Sequence, residues 1–254
     1  MFEPRLALAS LSGESDADWA RAGSHWAGAA FLGGIAVCST TRAAARAMVK
    51  RDREEFLPAD PLTFIDTQLT AIADAPIRPG FNVRAVEDTA IPPVAKVCAN
   101  HGAIYEVNAH CRQTELCAVG AGETLLADTE RLVRQVERAV EQGATVSVKV
   151  RAEVSGVDLV ETALAIADAG ATAIHVDAMD SEHVIADVAD ATDLFVIANN
   201  GVRWPGDVAE YAKYGADAVS VGRPSDRPAV LERLNEAVTH HWPGDEPIAE
   251  RNDR

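Results

Sequence analysis

Lysine is almost missing from this sequence. Only Lys50, Lys96, Lys149 and Lys213 stand among 23 basic residues, which face 39 acidic ones for a formal charge of −16. A chain this anionic repels polyanions in dilute buffer, and salt screens that repulsion. The composition therefore suggests adaptation to high salt and disfavours nucleic-acid binding, except through a local arginine patch. Cysteine is scarce as well: Cys38, Cys98, Cys111 and Cys117 form no CxxC pair, so neither a zinc ribbon nor a disulfide framework is indicated, and no metal is expected. No apolar run approaches the ~20 residues of a membrane helix. The start, MFEPRLALAS, has too short an apolar stretch for a signal peptide, so a cytoplasmic location is expected. No GxGxxG follows the first candidate strand, which weakens a doubly wound sheet.

What is present is a rhythm. From residue 100 onward short β-branched runs alternate with amphipathic stretches, the pattern of successive βα units. Strands are predicted at Ala103–Asn108, Thr145–Arg151, Ala173–Asp177, Leu194–Asn199 and Ala218–Gly222. Helices are predicted at Thr129–Gln142, Asp158–Ala169, Ser181–Ala189, Pro205–Tyr214 and Arg227–His240, several ending on a C-capping glycine. Earlier strands fit at Leu6–Ser10, Ala29–Gly33 and Gly80–Val83, with helices at Thr40–Arg51 and Pro61–Ala73 between the second and third. Eight strands in 254 residues predict an α/β protein of the (β/α)8 TIM-barrel class. One domain over residues 1–241 and a polar tail over 242–254 are expected.

A βα barrel carries its chemistry where the strands end. In Thr145–Arg151 the period of two puts Ser147, Lys149 and Arg151 on one face and three valines on the other. Lys149 then points inward, near Glu106 and Asn108. Such a cation is either paired with Glu106 or faces the electron-rich ring of a cofactor. The strand ends at Asn199-Asn200-Gly201 and Gly222-Arg223 suit a phosphate, because glycine lets backbone N–H groups approach an oxyanion and Arg223 completes the charge; a pair of tight turns is the alternative. Cys111 sits where a reactive thiol could meet a substrate, a buried inert cysteine being the alternative, while Cys98 and Cys117, the latter six residues further into the following loop, read as structural. His175 and Asp177 share a face of the sixth strand, as a wall pair or a catalytic one. His110 either tunes the thiol or faces solvent.

These residues resemble the FMN-dependent tRNA-dihydrouridine synthases, in particular short archaeal relatives built of the barrel alone. Glu106-Val107-Asn108-Ala109-His110-Cys111, then Gly120-Ala121-Gly122-Glu123-Thr124-Leu125-Leu126, is similar to the family's Asn-x-Gly-Cys-Pro strand end and its Gly-Ala-Gly-x-x-Leu-Leu stretch. Val148-Lys149-Val150-Arg151 and Gly215–Arg223 match further pieces, so the likeness runs through most of residues 80–225. It implies FMN across the barrel mouth as a single-domain cofactor, with Lys149 at the ring and Asn199, Asn200, Gly201, Gly222 and Arg223 around the phosphate. Cys111 would protonate one carbon of a pyrimidine double bond while the flavin reduces its neighbour. Asn108 would touch flavin or substrate, and Asn82 stands where the family has a flavin-binding Gln. Asp177 occupies the position of a cofactor-binding His, Met179 that of an Arg, and Ala7–Leu11 replaces Ala-Pro-Met-Ala-Gly. The helical tRNA-gripping domain is not expected, since about thirty residues follow the last strand. The implied partners are a nicotinamide or other electron donor and a pyrimidine, as uridine in tRNA or free. A flavin-free aldolase or isomerase using Lys149 as Schiff base or phosphate clamp, and a flavin-binding relative without turnover, are the other readings.

Overall fold

The computed structural model describes residues 1–243; the expected tail beyond Pro243 lies outside the described residues. Eight parallel strands close on themselves in chain order, each hydrogen-bonded to its sequence neighbours and the last to the first. They are β1 (Leu6–Leu8), β2 (Ala29–Ala36), β3 (Arg78–Arg84), β4 (Ile104–Asn108), β5 (Thr145–Arg151), β6 (Ala173–Asp177), β7 (Phe195–Asn199) and β8 (Ala218–Val221). The helices around them are α1 (Ala17–Gly23), α2 (Ser39–Val49), α3 (Pro61–Ala71), α4 (Ile91–Asn100), α5 (Thr114–Ala118), α6 (Glu123–Leu126), α7 (Thr129–Val140), α8 (Leu159–Asp168), α9 (Val184–Ala191), α10 (Pro205–Lys213) and α11 (Pro228–His241). This is the (β/α)8 barrel that the strand spacing predicts.

Several strand ends differ from the sequence reading, β3 running from Arg78 to Arg84 rather than Gly80 to Val83. β1 stops at Leu8 rather than Ser10, and β2 runs on to Ala36 because a bulge between Gly33 and Ile35 lets pairing with β3 resume. Four helices were not foreseen: α1, α4 and the short α5 and α6. α1 is short and starts at Asp16, whose carboxylate accepts from the Trp19 amide at 2.9 Å. α4 opens with Pro92 and Pro93, which are tolerated in a first turn where no N–H partner is needed. Cys117, read as a loop residue, lies in α5.

Alternation along the strands sorts the side chains into two shells. Val146, Val148 and Val150 face outward and are fully buried under the helices, and α7 meets the sheet through Leu132, Gln135, Val136 and Ala139, spaced by three and four. The inward side changes character along the barrel axis. Its N-terminal floor is apolar, formed by Phe2, Ala7, Ala29, Phe31, Ile104, Ile197 and Ala218. One step further along, the inward positions are Asn82, Glu106, Ser147, His175 and Ser220, all buried. The rings of Phe31 and His175, 5.2 Å apart, mark the boundary between the two layers.

Candidate active site

The polar layer is one hydrogen-bonded network. A carboxylate only accepts, so two chains of donors converge on Glu106. On one side the Cys111 amide donates to Asn108 Oδ1 (3.2 Å), Asn108 Nδ2 to Asn82 Oδ1 (2.7 Å) and Asn82 Nδ2 to Glu106 Oε1 (2.7 Å). On the other, Asn199 Nδ2 donates to Ser220 Oγ (2.6 Å), and Ser220 and His175 Nε2 are 2.7 Å apart. His175 Nδ1 reaches Glu106 Oε2 at 2.7 Å, so it carries the proton and Nε2 receives that of Ser220. Charge agrees with this assignment. Burial pushes the Glu106 carboxyl up but is outweighed by His175, Lys149 and the Asn82 bond, leaving it below the usual carboxylate range. Burial and the Lys149 charge hold the His175 imidazole below its ordinary value, so it stays neutral.

Lys149 is 3% exposed, and no carboxylate among the described residues forms an ion pair with it. The possible Lys149–Glu106 ion pair is therefore not formed, because His175 and Asn82 occupy both oxygens of Glu106. Burial lowers the Lys149 ammonium from its ordinary value, opposed by the charges of Glu106, Asp177 and Cys111. A buried ammonium without a direct ion-pair partner is costly, and an electron-rich or anionic ligand would relieve it.

Two clefts open at the C-terminal mouth and share Asp177 and Arg223. The larger, of about 770 Å³, is lined by Asp177, Asn199, Asn200, Gly201, Gly222 and Arg223 together with Arg203, Trp204, Arg227 and Arg233. The smaller, of about 270 Å³, holds Asn108, His110 and Cys111 with Arg84 and Glu55. Lys149 and Asn82 are buried and are not among the residues that line either cleft. Asn82 is thus committed to its neighbours, and Asn108 is the member of that pair that reaches a cleft.

The loops after β7 and β8 offer backbone rather than amide side chains to the larger cleft. Asn199 is turned to Ser220, and Asn200 Nδ2 donates to Asp177 Oδ1 at 2.9 Å. Asn200 and Gly201 both have positive φ, and a Cβ added at Gly201 or Gly222 would meet nothing within 4 Å. That open space beside Arg223 is the cradle an oxyanion needs. FMN fits this donor set: Gly201, Gly222 and Arg223 would hold its phosphate, and Lys149 would supply positive charge toward its ring. Asp177 supplies no charge for a phosphate, and suits hydroxyl groups that donate to it.

Gly122 explains how the Cys111 loop is held. Its φ is +61°, and a Cβ there would lie 1.9 Å from the Cys111 carbonyl oxygen, which accepts from the Glu123 amide at 2.9 Å. Cys117 Sγ also donates to that carbonyl at 3.4 Å, so this thiol supports the loop. His110 is neutral, lowered first by burial and then by Lys149, and its Nδ1 is buried without a partner.

The sequence reading missed the Arg84–Glu55 ion pair, in which both side chains are almost wholly buried and Arg84 also donates to Ser12. Burial pushes the Glu55 carboxyl up, with Arg84 opposing. Arg84 lies two residues beyond Asn82 on the same face of β3, so alternation could have found it; Glu55, in an irregular loop, carried no signal.

Solved structures with the same architecture include a mutant FabK from Thermotoga maritima (16% identity, TM-score 0.59, 88% of this chain and 63% of that one). A mandelate oxidase solved with an FMN adduct aligns at 18% identity and TM-score 0.60, over 93% of this chain and 73% of that one. A tryptophan synthase complex from Pyrococcus furiosus aligns at 13% and 0.60, over 94% and 98%. Fold and mouth define a (β/α)8 barrel with its polar clefts at the C-terminal ends of the strands. The chain belongs to the dihydrouridine synthase family, whose model, Dihydrouridine synthase (Dus), matches residues 89–252. An uncharacterized protein of Methanocaldococcus jannaschii is 27% identical over 235 residues, covering 87% of this chain and 89% of that one. No helix among the described residues is long and apolar enough to cross a membrane.

Proposed function

We propose that the protein binds FMN and reduces the C5–C6 double bond of a pyrimidine, either uridine in tRNA or a free pyrimidine. The observation that carries this reading is the Cys111 thiol and an open glycine-lined pocket beside Arg223 at one barrel mouth, with the buried ammonium of Lys149 in register with Asn108, a residue of the cleft that holds Cys111. When bound, FMN would supply a hydride to one carbon of the double bond, its two electrons drawn from a nicotinamide or other donor. The Lys149 charge favours the anionic form of whatever lies above it. Cys111 donates the proton that a ring carbon takes up as negative charge builds on the substrate. A thiol is suited to this as a weak acid, and Cys111 lines the smaller cleft. Asn108 and Gly122 hold the loop that presents it.

The test is to identify the ligand released on denaturation and then to assay uracil, uridine monophosphate and unmodified tRNA side by side. One FMN per chain and consumption of donor with at least one pyrimidine are expected. FAD, or no flavin after reconstitution in high salt, would count against the cradle assignment. A Schiff-base barrel would instead be inactivated by borohydride with a carbonyl substrate, through covalent labelling of Lys149.

A further inference from the structure

The larger cleft holds more cation than a cofactor phosphate uses. Arg223 and the backbone at Gly201 and Gly222 match one phosphate, yet Arg203, Arg227 and Arg233 line the same cleft. Among the described residues neither Arg203 nor Arg233 has an acidic partner, and Arg227 has only exposed Asp226, at 3.8 Å. Beside them stands Trp204, 59% exposed, in a protein whose other tryptophans pack against the core. Its indole is held rather than loose. The Arg233 guanidinium lies 4.0 Å from the ring centroid and donates through Nε to the Arg203 carbonyl at 2.7 Å, while Trp204 itself begins α10 with its amide bonded to Asp207. An exposed, fixed aromatic plane, one face of it held by Arg233 and with the guanidinium of Arg203 lacking an acidic partner among the described residues, is a surface for a stacked base and its phosphate.

We infer that Trp204, with Arg203, Arg227 and Arg233, forms a second nucleotide site at the barrel mouth, receiving a base-plus-phosphate unit other than the flavin. That unit is either the adenylate end of a nicotinamide dinucleotide donor or a nucleotide flanking the target pyrimidine in RNA. The site depends on the FMN reading only in assigning the Arg223 end of the cleft to the cofactor.

The experiment uses the full chain as purified, at the lowest salt that keeps its circular dichroism unchanged. Binding of NADH and NADPH is followed by calorimetry, and that of a labelled unstructured octaribonucleotide by anisotropy. The ligand that binds identifies the source, with affinity falling as salt rises. Trp204→Ala should weaken it about tenfold, and Arg203→Gln with Arg227→Gln should weaken it and flatten the salt dependence. Released flavin per chain should match wild type in both variants. The inference is overturned if none of the ligands binds, if the variants bind like wild type, or if Trp204→Ala loses flavin, which would give the whole cleft to the cofactor. A wild-type protein without flavin would sink the cofactor reading alone, since ligand binding is measured independently of it.

Discussion

Lys149 and Cys111 make separable predictions. Removing an unpaired buried ammonium relieves a desolvation cost, so Lys149→Met should melt no lower than wild type while its reduction by a nicotinamide donor slows about tenfold or more. Loss of fold in that variant would show the charge to be structural. Cys111→Ala should keep flavin and still accept electrons, yet lose pyrimidine reduction by ~100-fold, a typical general-acid contribution; turnover equal to wild type would remove the thiol from the reaction. Acid should act through the buried layer. His175 and His110 resist protonation when folded, chiefly through burial, whereas the unfolded chain takes up protons near the ordinary 6.5. The unfolded state then binds more protons, so stability falls as pH drops below about 6.5, and further as Glu106, also held low, is forced to protonate. Denaturant midpoints at pH 8, 6 and 5 read this directly, and a flat profile would contradict the neutral-imidazole assignment. Period-two alternation made Lys149, Glu106 and Asn108 legible in the sequence as inward-facing. It could not show that His175, rather than Lys149, takes Glu106, because that choice depends on which strands face each other across the barrel.

At the scale of elements, the strand end carrying Cys111 and the turn before α6 act as one piece. Gly122→Ala should push the Cys111 carbonyl away, lowering stability by ~1–3 kcal/mol and changing the rate of Cys111 alkylation in a Cys117→Ala background. An alkylation rate unchanged from the parent would show that the loop is held elsewhere. The strands were readable because β-branched runs recur at even spacing and glycines stop the helices between them. α4 was hidden by its two prolines, which discourage a helix except in the first turn, where they stand here. The extension of β2 was hidden by Gly33 and Gly34, which look like a stop. A Cβ at Gly34 would lie 3.1 Å from the Arg84 guanidinium, so this pair instead makes room for the buried ion pair beside the mouth.

Over the whole molecule, charge is unevenly shared. Eight of the nineteen arginines, and four acidic residues, line the two clefts of a chain that is otherwise strongly acidic. Screening the outer surface should therefore stabilise the fold, and the melting temperature should rise from 0.1 M to 2 M potassium chloride. A melting temperature that falls over this range would speak against adaptation to salt. The mouth should respond oppositely, holding anionic ligands less tightly as salt rises. The converging hydrogen bonds bear on how this barrel changes over generations. Because the Cys111 rim and the Asn199 rim orient themselves on the same carboxylate, an amino-acid replacement along one arm alters the setting in which the other was selected. Lineages carrying this Glu–His pair should therefore drift in step at Asn82, Asn108, Ser220 and Asn199, with viable changes arriving in company, whereas the apolar floor beneath is free to vary one residue at a time.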